Sequence, residues 1–106
     1  MLIFKYIKKL RDMNKIEIID GYDGHGFFER EVIGTYDLDG NNVYEWTLYT
    51  YDGFTSIHFI DCEAEFNLED EDDCLEIGIE NGEEIYDEIL QFVNDNGYDF
   101  IGEEFE

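Results

Sequence analysis

Basic residues are scarce in this sequence: 6 Lys and Arg stand against 29 Asp and Glu, a formal net charge of −23 over 106 residues. That balance excludes binding to nucleic acid or to an anionic membrane by general electrostatic attraction. Cysteine is limited to Cys62 and Cys74. Two are too few for a secreted disulfide scaffold, and they lie outside any CxxC or Cys/His metal spacing. Proline is absent. No apolar run approaches a membrane span, and residues 1–12 lack the long apolar stretch and small-residue cleavage site of a signal peptide. A soluble, cytoplasmic protein is expected.

What is present argues for a folded core. The chain is 43% hydrophobic and 17% aromatic, too rich in Phe, Tyr and Ile for disorder, and its length suits one domain. A charge of −23 equals that of about 11–12 base pairs of duplex DNA. The charge is uneven. Five of the 6 basic residues (Lys5, Lys8, Lys9, Arg11 and Lys15) fall in the first 15 positions, and Arg30 is the last base in the chain.

The pattern predicts a single α+β domain over residues 1–106. Residues 1–12 read as a short basic amphipathic helix, with Leu2, Ile3, Tyr6, Ile7 and Leu10 on one side. A β-meander of about five antiparallel strands is expected over 15–80. Residues 15–20 alternate, 21–26 form a glycine-rich turn, and a long strand covers 27–37. Asp39, Gly40, Asn41 and Asn42 give a hairpin signal before the strand at 43–51. Residues 55–68 continue as strand, with Cys62, Ala64, Phe66 and Leu68 facing in. Residues 69–73 read as a charged loop and 74–80 as a last strand. A helix over 82–95 closes the domain on one sheet face, opened by Asn81 and Glu84 in a capping-box pattern. The tail from Tyr98 either adds a strand or stays loose.

Catalytic and metal chemistry find little support. Residues 37–42 begin like a calcium loop, but Asn42 and Leu48 stand where Gly and Glu are required, so a hairpin turn is the better reading. Ser56 and His58 share a strand face without a nucleophile-elbow context. His25 sits in a glycine turn. The cysteines have no nearby positive charge to activate them. No phosphate-cradling loop is present. The expectation is no enzyme, no metal and no cofactor.

The acids carry the signal. Glu63, Glu65 and Glu69, with Glu76 and Glu80 on the next strand, are expected as rows of carboxylates spaced about 6.6–6.8 Å along a sheet face. Glu84, Asp87, Glu88, Gln91 and Asp95 extend this along the helix, and Asp70, Glu71, Asp72 and Asp73 join the two. Ordinary surfaces intersperse both signs, because unrelieved self-repulsion destabilises the compact state. A cationic partner is therefore expected. Tyr49 and Tyr51, on a face with Glu45, offer flat contacts. Reversing Glu69, Asp70, Asp72 and Asp73 to Lys is expected to abolish binding and spare the fold. A strand edge near 43–51 is expected to allow pairing of two copies, leaving monomer and homodimer both open.

This size, charge density, proline-free α+β pattern and acid-studded strands and helix resemble the small acidic nucleic-acid mimics of phages and mobile elements: anti-CRISPR proteins, anti-restriction proteins and uracil-DNA glycosylase inhibitors. The resemblance is one of class, without a shared motif. It implies a DNA-mimicking inhibitor of a basic nucleic-acid-binding protein, a Cas9-type effector being favoured, acting in the host bacterial cytoplasm without binding nucleic acid or membrane. Carboxylates would then meet the Arg and Lys that normally hold phosphates or read the PAM duplex. An immunity protein that neutralises a toxin nuclease is the alternative.

Overall fold

The computed structural model describes residues 15–23, 30–51 and 54–102. The expected helix over 1–12, the turn and strand residues 24–29, and the last four residues lie outside this set. Five strands form one antiparallel meander in sequence order: β1 (Ile16–Asp23), β2 (Arg30–Asp37), β3 (Val43–Tyr51), β4 (Phe54–Asp61) and β5 (Ala64–Asn67). Two helices follow, α1 (Glu71–Glu76) and α2 (Gly82–Asp95). The α+β architecture matches the sequence pattern.

Period-two alternation decides which face is buried. Val32, Trp46, Leu48, Ile57 and Phe59 point to one side and join Ile85, Tyr86, Ile89 and Val93 of α2 in the core. Gly34 makes room for this layer: a Cβ there would lie 2.0 Å from the Glu17 carbonyl oxygen and 2.3 Å from Trp46 Cζ2. The Tyr86 hydroxyl donates to the Thr55 carbonyl at 3.0 Å, tying helix to sheet. Residues 98–102 of the tail form no strand but are tied to the domain. Asn94 receives the Phe100 N–H at 2.8 Å and donates to its carbonyl at 3.0 Å, while Thr55 Oγ1 donates to the Ile101 carbonyl at 2.6 Å.

The sheet departs from expectation at both ends. β1 runs through Gly21 to Asp23 instead of turning there, with a register irregularity between Ile18 and Asp20. The single expected strand over 55–68 is a hairpin, turned at Cys62, whose φ is +58°. Cys62 and Ala64 are consequently exposed, whereas Phe66 is half-buried and Leu68 buried. The expected strand over 74–80 is also absent. Asp70 Oδ1 accepts the N–H groups of Asp72 at 2.9 Å and Asp73 at 3.3 Å, starting a helix where a loop was expected. Three acids in its first turn suit the positive end of the dipole. The sheet therefore ends at Asn67. β3 lies between β2 and β4, so it offers no free edge for a second copy.

Candidate functional site

The twelve acids singled out from sequence do not form one face. Glu65 pairs with Ile60 on the sheet surface turned away from α2, and Glu63 sits in the β4–β5 turn. Glu84, Asp87 and Glu88 lie on the exposed side of α2, across the sheet from Glu65. Glu76 and Glu80 are exposed on α1 and the connection after it, not in a strand row.

Three of the twelve hold the fold. Asp70 caps α1. Asp73, half-buried, accepts the Asn67 N–H at 3.0 Å. Glu88 accepts from Lys15 Nζ and from the Tyr36 hydroxyl, each at 3.1 Å. Burial pulls the Lys15 ammonium downward, but its bonds to Tyr36 and Glu88 outweigh that and raise its pKa above the ordinary value.

The structure does bring five others together. Glu69, Glu71, Asp72, Glu80 and Glu84 line an open cleft of about 740 Å³ between α1 and the start of α2. Glu83, in the first turn of α2, joins them. The floor is apolar, with Leu68, Cys74, Leu75 and Ile79, and Leu75 is 79% exposed. Close packing of the two helices shapes it. A Cβ on Gly82 would lie 2.6 Å from both Cys74 Sγ and the Leu68 carbonyl oxygen. Burial, then the neighbouring Asp73 and Asp70, pushes the Cys74 thiol pKa upward and keeps it protonated.

Such a cleft is chemically suited to long basic side chains. A Lys or Arg stem can lie on Leu75 and Ile79 while its head group meets the carboxylate rim. From the cleft, Glu83, Glu84, Asp87 and Asp95 continue along α2. The 14 residues of that helix extend roughly 21 Å at 1.5 Å each, the length of about six base pairs. No Lys or Arg follows Arg30 in the chain, so the ridge has no basic residue of its own. Among the described residues no three His, Cys, Asp or Glu side chains converge to hold a metal ion. No described helix is long and apolar enough to cross a membrane.

Comparison of the chain with protein-family models, with curated proteins and with solved structures finds no match.

Proposed function

We propose that the chain is a stoichiometric, non-catalytic protein inhibitor that occupies the basic nucleic-acid channel of a DNA-handling defence enzyme in place of DNA, a Cas9-type effector in the bacterial cytoplasm being the favoured target. The observation that carries this reading is the acidic cleft, continued by Asp87 and Asp95 on a helix about 21 Å long, in a part of the chain without a single Lys or Arg. The two bases among the described residues are each paired with an acid, and on α2 itself only Glu88 is neutralised in this way. Lys15 pairs with Glu88 and lies 5.1 Å from the Tyr36 ring centroid, and Arg30 pairs with Asp99. Opposite fields accelerate encounter, and carboxylates substitute for phosphates in pairing with guanidinium and ammonium groups.

The test is displacement of a fluorescent PAM-containing duplex from a Cas9–guide complex, followed by polarisation at low salt. Release at near-equimolar chain supports the reading. A duplex that stays bound at large excess of chain argues against this target, and the same assay with a restriction enzyme or uracil-DNA glycosylase reads the related ones. The apolar cleft floor also suits a toxin-nuclease immunity protein, which would bind its nuclease with DNA still in place.

A further inference from the structure

The sheet surface turned away from α2 carries a different arrangement. Tyr22, Glu31 and Tyr49 are successive cross-strand neighbours on β1, β2 and β3. A carboxylate thus stands between two phenol rings, with Cβ atoms of adjacent residues about 4.5–5.5 Å apart. Glu65 joins these three around one open depression of about 570 Å³ floored by Thr47. Tyr22 is 61% exposed, and Glu31 and Glu65 are exposed as well. Arg30 also borders the depression, yet its guanidinium is turned to the helix side, 4.2 Å from the Phe100 ring centroid and paired with Asp99.

We propose that this depression is a second binding site, selective for the guanidinium of an arginine side chain carried by a protein partner. Glu31 and Glu65 supply acceptors for the planar five-donor fork, and Tyr22 and Tyr49 supply π faces on either side. An ammonium gains the charge but neither the bidentate fit nor the stacking. The protein already recognises a guanidinium this way internally, where Arg30 is held by the Asp99 carboxylate with Tyr98 and Phe100 rings beneath it. The depression lies across the sheet from the α1–α2 ridge, so the proposal stands whether or not the ridge replaces DNA. The two sites together would let one chain engage basic partners on both sides.

The test is an amide-resolved NMR titration of the full chain with acetyl-arginine amide, with acetyl-lysine amide as the control. Saturable shifts at Tyr22, Glu31 and Tyr49, with a midpoint at least about fivefold lower for the arginine compound, are expected. Tyr22→Ala and Glu31→Gln, both at exposed positions, should each weaken that response severalfold while the dispersion of the spectrum shows an intact fold. Equal responses to the two compounds, or shifts confined to residues lining the α1–α2 cleft, overturn the proposal. So does a response that appears only once Lys5, Lys8, Lys9 and Arg11 are replaced by Gln, because the chain's own bases would then be filling the site. DNA displacement reads the ridge alone, so failure there leaves this result standing.

Discussion

The Tyr49 hydroxyl lies 3.2 Å from His58 Nε2, diagonally across the β3–β4 pair on the sheet surface away from α2. Their rings are 5.4 Å apart. Burial, then the nearby Glu65, raises the Tyr49 pKa, keeping the phenol protonated and able to donate. Burial lowers the His58 pKa, and Glu65 and Asp73 only partly oppose that. His58 is therefore a neutral acceptor at Nε2, and its buried Nδ1 has no hydrogen-bond partner among the described residues.

A pH dependence follows. With the folded pKa below an unfolded value of about 6.5, the unfolded chain takes up the proton first. The stability contributed by neutral His58 is complete above about pH 6.5 and is lost as pH falls through the folded value. Urea unfolding at about pH 7.5 and pH 5 should show the wild type losing more of its midpoint than His58→Gln. Equal losses would contradict this account of the pair.

The acids divide into structural and free groups, and their variants should separate accordingly. Asp70→Ala removes the α1 cap and should cost about 0.5–2 kcal/mol. Asp73→Ala leaves the Asn67 N–H without its acceptor, at a cost of about 1–3 kcal/mol. Replacing Glu71, Glu83 and Asp87 by Gln should change the urea midpoint less than either of these and weaken partner binding. Reversing Glu69, Asp70, Asp72 and Asp73 to Lys therefore confounds unfolding with lost binding, contrary to the sequence expectation.

The contrast shows where the sequence was legible. Strands β2 to β4 alternate over eight or nine residues each, and α2 has its apolar positions at helical spacing, so both elements could be read directly. Residues 74–80 read as a strand because Leu75, Ile77 and Ile79 alternate, whereas they form the end of α1 and the connection after it. The competing signal is Asp70, whose side chain captures two backbone N–H groups and starts a helix at Glu71, three residues before the expected strand. The hairpin at Cys62 carried no glycine to announce it. Grouping of the acids depended on these two elements, so the cleft between α1 and α2 could not be assembled in advance.

Gly34→Ala should be among the most damaging single-methyl additions. Its Cβ would collide with the Glu17 carbonyl and the Trp46 ring, and Trp46 is fully buried. A loss of about 1–3 kcal/mol is expected from overpacking, read as a lower thermal midpoint. An unchanged midpoint would show that β1 and Trp46 do not pack as described.

The cysteines should differ in reactivity. Cys62 is exposed in a turn, whereas Cys74 is buried with its thiol pKa raised. Iodoacetamide near pH 8 should label Cys62 in the native protein and Cys74 only after denaturant is added. Cys62→Gly should also stabilise the hairpin by about 0.5–1 kcal/mol, because glycine adopts a φ of +58° without the Cβ penalty.

Substitution of carboxylates for DNA phosphates is tested most directly by the affinity of the chain for a Cas9–guide complex, measured with and without saturating PAM duplex. If the chain fills the channel that DNA fills, its apparent Kd should rise in proportion to duplex concentration, and should rise with salt in the absence of duplex. An unchanged Kd, with chain, effector and DNA in one complex, would contradict DNA replacement at this target.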